Sequence, residues 1–172
     1  MSLKGKKIIV LAENDYEDLE LWYPLLRMRE EGAEVTIVGS GTSKDYNSKH
    51  GYPVTVDLDA NEVKVDSYDA IIVPGGWAPD KLRRYPSVVK LVKSAFDKNK
   101  IIAAVCHGPS LLISAKILEG KTATCYFAIK DDVIYAGAKY IDKEVVRDGN
   151  IITSRMPDDL PAFCREIISA LK

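Results

Sequence analysis

The chain has 172 residues, 47% hydrophobic and 28% charged, which suits a folded domain that buries a core without staples and excludes disorder. Lysine and arginine number 24 against 25 acidic residues, and no basic stripe with interleaved aromatics occurs, so nucleic acid is not an expected partner. Cys106, Cys125 and Cys164 are scattered and odd in number, which argues against a disulfide framework. With only His50 and His107 and no C-x-x-C, neither a metal site nor a cofactor is expected. No apolar run approaches the roughly 20 residues that span a bilayer, and the basic start is followed by a short strand-like run without a cleavage site. The expectation is one cytoplasmic domain over residues 1–172, with no membrane partner.

"KIIVLA" (7–12) is a continuous aliphatic run, as in a strand buried on both faces. Asn14 or Asp15 is then expected to cap a helix in which Leu19, Trp22, Tyr23 and Leu26 recur at helical spacing, with a kink at Pro24. Gly32 ends it and "EVTIVG" (34–39) is the next strand, completing a right-handed β-α-β unit. Residues 40–67 are less regular, with a small hairpin around "GYPVTVD". "DAIIVPGG" (69–76) resumes the buried-strand pattern, a helix follows at 86–98, then a strand at 101–105 and an apolar helix near 109–118. "EVVRDGNIITS" reads as a hairpin turning at Asp148-Gly149-Asn150, and Pro157 opens the last helix. The alternation predicts an α/β fold, a mostly parallel sheet with helices on both faces.

Two nucleotide-like motifs fail. "GKT" at 120–122 has Ala115 where a phosphate-binding loop needs glycine, and a helix precedes it where a strand should. "GSG" at 39–41 lacks the third glycine and follows the second strand.

The strand at 101–105 ends in Cys106, His107, Gly108 and Pro109, the shape of a nucleophile elbow. Pro109 suits a first helical turn, so Cys106 is expected at the positive end of a helix, which lowers a thiol pKa. The plainer alternative is a buried structural cysteine. Glu17 lies just after the first strand and Gly75-Gly76 after the third; taken singly these read as a helix-start carboxylate and a turn. Three unusual strand ends on one edge of a parallel sheet instead suggest a site, with diglycine N–H groups available to hold an oxyanion. Side chains at adjacent positions diverge, so His107 need not touch the thiol of Cys106.

In combination, "NDYEDLELWYP", "DAIIVPGGWAPDKLR", "AVCHGP", "FAIKDD" and "DGNIITSRMPDDL" resemble the ThiJ/PfpI superfamily, specifically its PfpI-like branch of intracellular cysteine peptidases and deglycases. That resemblance implies a flavodoxin-like three-layer sandwich. It implies Cys106 as nucleophile, His107 as its base, Glu17 in contact with the thiol, and the N–H groups of Gly76 and His107 as oxyanion hole. Asp80 in "WAPDKL" matches a carboxylate, usually glutamate, that orients the histidine from a neighbouring subunit, so a homo-oligomer is implied. Gly75, Trp77 and Tyr126 would line the substrate pocket, Trp77 replacing a residue that is usually polar. The activity implied is hydrolysis of a peptide or a small carbonyl substrate, by peptidase, glyoxalase III or deglycase chemistry. The alternatives are a redox sensor or chaperone using oxidation of Cys106, and a relic with a closed site.

Overall fold

In the computed structural model, which describes residues 2–172, the first aliphatic run forms β1 (Lys7–Ala12), buried at every position after Lys7. α1 (Asp18–Glu30) leads to β2 (Glu34–Gly39), which runs parallel to β1. β3 (Asp45–Asn47) and β4 (Pro53–Thr55) pair as an antiparallel hairpin, and β5 (Leu58–Asp59) then returns beside β2. β6 (Ala70–Val73) is followed by the short α2 (Ala78–Leu82) and by α3 (Pro86–Asp97). β7 (Ile101–Val105) and α4 (Pro109–Ser114) come next. β8 (Thr122–Ala123), α5 (Lys130–Tyr135) and β9 (Lys139–Tyr140) make a small addition that the sequence pattern does not announce. β10 (Val145–Asp148) and β11 (Ile151–Ser154) form the expected hairpin, and α6 (Leu160–Leu171) ends the chain.

The main sheet has the order β10-β11-β7-β6-β1-β2-β5, parallel throughout except for β10. The fold is the flavodoxin-like α/β sandwich. The chain leaves β1 towards β2 in one direction and passes from β6 to β7 and β11 in the other. Right-handed crossovers therefore put helices on opposite faces: α1 packs on α6, while α2 and α3 pack on α4. Ile8 to Leu11, Ile71 to Val73 and Ile102 to Val105 fill the sandwich between these layers. Each large aliphatic side chain there contributes about 1.5–3 kcal/mol by leaving water. The reversal between β1 and β6 is a topological switch point, where the loops beyond the strand ends diverge and leave a crevice.

Local details depart from the sequence pattern. The cap of α1 is Glu17, whose carboxylate accepts from Glu20 N at 3.0 Å, and not Asn14 or Asp15. Asp15 instead sits at φ +62°, with its N–H bonded to Asn47 O and its carbonyl to Trp77 N. The buried face of α1 is Leu21, Pro24, Leu25 and Met28, whereas Leu19 and Leu26 are more than half exposed, because docking on the sheet and α6 selects the opposite side. Pro24 lies inside α1, where the sequence places it. α4 stops at Ser114, and Lys116 at φ +54° turns the chain away. Pro157 opens a 3-10 turn (Pro157–Asp159) that leads into α6.

Candidate active site

Cys106 follows the last residue of β7 with φ +61°, a left-handed conformation that costs a non-glycine residue roughly 1–3 kcal/mol and needs its surroundings to enforce it. They do so by hydrogen bonds. Cys106 N donates to Ser154 O at 3.0 Å, and Cys106 O accepts from Tyr126 N at 2.9 Å. Gly108 N closes the turn on Val105 O at 2.8 Å, and α4 starts at Pro109. The elbow read from the sequence is present.

Around it the loops after β1 and β6 are tied together. Tyr16 bridges Gly76 on one side and Ser48 on the other, and Glu17 N donates to Gly75 O at 3.3 Å. Gly76 has φ +68°, a conformation that glycine adopts without strain. Gly75 is required by close approach. A Cβ there would run into the Glu20 carboxylate and come within 2.8 Å of Cys106 Cβ.

The carboxyl beside the thiol is Glu20. The contact expected for Glu17 is made one helical turn further on, because Glu17 spends its own oxygen on capping α1. Glu20 is fully buried, and its Oε2 accepts from Gly75 N at 2.7 Å. Its Oε1 has no hydrogen-bond partner of good geometry among the described residues. Burial first, and the Glu17 charge second, raise the Glu20 carboxyl to about 7, against the opposing pull of the Gly75 N–H, Cys106 and Lys49. Near neutral pH it is partly a carboxylic acid.

Burial, and then the Glu20 charge and hydrogen bond, raise the Cys106 thiol well above its ordinary value. This overturns the expectation of a thiol lowered by the helix end. The N–H groups of His107 and Gly76 act in the opposite sense by hydrogen bonding the sulfur. A thiolate forms here most readily while Glu20 keeps its proton, since the pair then carries one negative charge and not two.

His107 Nδ1 lies 3.4 Å from Cys106 Sγ, so these adjacent side chains do meet. Burial, and secondarily the Lys49 cation, lower the imidazole pKa, so the ring is neutral and able to take a proton. Trp77 and Tyr126 flank it, with ring centroids at 5.5 and 5.1 Å. Trp77 is 59% exposed and lines the cleft without closing it. The cleft has a volume of about 460 Å³ and reaches from Glu17, Glu20 and Lys49 past Cys106 and His107 to Pro157. Asp80 lies in an adjoining groove with His107, but it pairs with Arg84 at 2.7 Å, and no carboxylate of the described residues bonds the imidazole.

Sequence reading missed Glu20 and Lys49. Glu20 had a signal, since "EDLE" places two carboxylates three apart on one helix face; Lys49 had none. One group of potential metal-ligand side chains occurs among the described residues. Glu17, Asp18 and His50 hold ligand atoms within 4.8 Å of one another. These atoms are engaged in the helix cap and in an Asp18–His50 bond of 2.7 Å.

Residues 6–170 match the DJ-1/PfpI family. The chain is 46% identical over 166 residues to a protein of Pyrococcus furiosus named Deglycase PfpI, covering 96% of this chain and 99% of that one. It is 41% identical over 168 residues to the putative cysteine protease YraA of Bacillus subtilis, covering 98% and 99%. Among solved structures, a two-domain protein from Anabaena variabilis, with DJ-1/ThiJ/PfpI-like and ferritin-like domains, superposes with a TM-score of 0.94 at 42% identity. That likeness covers 96% of this chain and 48%, about half, of the two-domain protein. Drosophila melanogaster DJ-1beta superposes at 0.91 with 27% identity, covering 97% and 90%. An elbow cysteine, a buried glutamate beside it and similarity along nearly the whole chain agree: this protein belongs to the DJ-1/PfpI family.

Proposed function

We propose that the protein is a PfpI-like cysteine hydrolase acting on a peptide or on a carbonyl adduct of the deglycase type, with Cys106 as nucleophile. The observation that carries this reading is the strained elbow that sets Cys106 Sγ 3.4 Å from His107 Nδ1, in a cleft that Gly76 also lines. His107 Nδ1 takes the thiol proton while Sγ bonds to the carbonyl carbon, and the carbonyl electron pair moves to oxygen. The Gly76 and His107 N–H groups hold that oxyanion. With an acyl substrate, protonated His107 returns the proton to the leaving nitrogen as the C–N bond breaks, and water, deprotonated by His107, then releases the acyl group. With a dicarbonyl adduct the same attack gives a hemithioacetal. Glu20 takes the place first assigned to Glu17, donating a hydrogen bond to the thiolate.

Asp80 belongs to the same proposal as the carboxylate that orients His107 from a second subunit. In the single chain it has only the exposed Arg84 as partner, and Phe127 and Tyr135 are exposed by 76% and 88%. On this proposal the protein is a homo-oligomer and, like the intracellular branch it resembles, cytoplasmic. No helix among the described residues is long and apolar enough to cross a membrane.

Turnover of methylglyoxal, methylglyoxal-treated amino acids and fluorogenic peptides tests the proposal. Activity on one class is expected, with at least a 10³-fold loss in Cys106→Ala. Equal activity in that variant overturns it.

One observation favours a redox reading as well: a carboxylic acid beside the sulfur can donate to a sulfinate as to a thiolate. Oxidised DJ-1 of Toxoplasma gondii is a structural neighbour at 25% identity. Treatment with hydrogen peroxide, read by peptide mass, separates the readings: a sensor stops at sulfinate on Cys106 and turns over none of the substrates above.

A further inference from the structure

The cleft holds one basic side chain, and the reaction outlined above leaves it without a task. Lys49 lines the same wall as Glu17 and Glu20 and acts electrostatically on both Glu20 and His107. No carboxylate of the described residues pairs with it. Its side chain is exposed at the rim, but its backbone is fixed. Lys49 N donates to Tyr16 O at 3.0 Å, Ser48 N donates to Tyr52 O at 2.8 Å, and Ser48 Oγ donates to Asp18 at 2.7 Å. Tyr16 in turn bridges Gly76, so the segment carrying Lys49 is tied to the segment carrying the oxyanion-hole N–H.

A buried cluster outside the cleft anchors the approach to this segment. The Glu13 carboxylate accepts from Asn14 N at 2.8 Å, from Ser40 Oγ, and from Thr42 Oγ1 at 3.2 Å. Tyr46 Oη in the same cluster accepts from Thr42 N and Ser43 N, both at 3.2 Å. Both ends of the segment are therefore held, and Lys49, with no carboxylate partner among the described residues, is kept on the wall of the cleft that Cys106 also lines.

A lone cation beside two carboxyls and a nascent thiolate has a definite consequence for what enters. Without it the cleft would repel anions. We infer that Lys49 selects substrates bearing an anionic group, a carboxylate or a phosphate, next to the carbonyl that Cys106 attacks. This rests on the hydrolase reading above. It names the class of substrate, a 2-oxo or acyl compound with an acid function on the arm directed to the rim, where neutral dicarbonyls gain no such contact.

The test separates this inference from the reading on which it rests. Alkylation of Cys106 by iodoacetate and by iodoacetamide needs no knowledge of the substrate: sulfur bonds to the methylene carbon and iodide leaves in both. The two reagents differ in charge. Lys49→Met should lower the iodoacetate-to-iodoacetamide rate ratio by roughly five- to tenfold, the effect of one charge at close range in partly aqueous surroundings. Lys49→Arg should preserve it. Raising ionic strength should compress the ratio in wild type and leave it nearly unchanged in Lys49→Met.

In turnover, kcat/KM for glyoxylate relative to methylglyoxal should fall by a similar factor in Lys49→Met. The same should hold for glyceraldehyde 3-phosphate relative to glyceraldehyde, and the two pairs distinguish carboxylate from phosphate. An unchanged alkylation ratio in Lys49→Met overturns the inference. So does an equal loss with both reagents, which would make Lys49 a modulator of the thiol alone. If wild type turns over none of the aldehydes or peptides, the hydrolase reading fails, and the alkylation ratio still decides whether Lys49 recruits anions to Cys106.

Discussion

Glu20 and Cys106 face each other beyond the switch point of the sheet, one from the first turn of α1 and the other from the elbow after β7. Gly75 is the spacer between them: its N–H holds Glu20 Oε2 at 2.7 Å, and its missing side chain leaves room for both. The carboxyl and the thiol consequently titrate as a pair that prefers a single negative charge.

Removing one member of the pair should expose its role. Below pH 7, where Glu20 keeps its proton and can donate to the sulfur, Glu20→Ala is expected to slow alkylation of Cys106 by iodoacetamide at least tenfold, and Glu20→Gln, which keeps an N–H donor, should slow it less. Glu17→Ala removes the cap of α1 and should cost about 1 kcal/mol in urea unfolding. Equal slowing of the thiol in the Glu17 and Glu20 variants would return the contact to Glu17.

Stability should depend on pH through Glu20. Its pKa rises from 4.5 in the unfolded chain to about 7 in the fold, so the native state binds more protons between these values. The stabilisation is complete below pH 4.5 and is lost as pH rises through 7, by about 3 kcal/mol in all. Urea titrations at pH 4.5, 6 and 8 should show this loss in wild type, and Glu20→Gln should remove that part of the slope. Identical pH slopes in the two proteins would mean that Glu20 is ionised throughout.

Cys106 should be the one thiol that reacts quickly. Burial raises all three thiols, but Cys106 opens on the cleft whereas Cys125 and Cys164 are each 1% exposed, so access selects it. The rate at Cys106 should go on climbing with pH beyond the range of an ordinary thiol, because burial and the Glu20 charge hold the thiol up. Peptide mass mapping after brief iodoacetamide treatment checks the site; preferential label on Cys164 would contradict it.

Gly75→Ala should damage the site more than the fold. The added methyl must displace Glu20, or the Cys106 Cβ and the His107 backbone, at a cost of about 1–3 kcal/mol. Thiol alkylation should drop by more than tenfold in a protein that still unfolds cooperatively. Normal alkylation would show that the spacing between Glu20 and Cys106 is loose.

Light scattering should find an oligomer at micromolar concentration, and Asp80→Ala should reduce turnover while Asp80→Glu, one methylene longer, should raise it. A monomer with full activity would remove Asp80 from the mechanism.

What was legible in the sequence was whatever short-range rules impose. Runs such as "KIIVLA" and "DAIIV" must be strands because both faces are apolar, and they are β1 and β6. "DGN" turns a hairpin, with Gly149 at φ +61°. The elbow at Cys106 was legible for the same reason, since a strand followed by His107, Gly108 and Pro109 leaves the chain few other paths. The helix that carries the acid was not settled by its own residues. Its apolar positions fit either face, and only packing against the sheet and α6 buried Leu21, Leu25 and Met28 and left Leu19 and Leu26 outside. That rotation aimed Glu20 at the thiol and committed Glu17 to the cap. Lys49 reached the cleft through the bridge between Tyr16 and Ser48, a contact between distant segments that no local pattern encodes. Local sterics and hydrophobic periodicity placed the nucleophile; the docking of separate elements, driven by burial of a shared core, chose its neighbours.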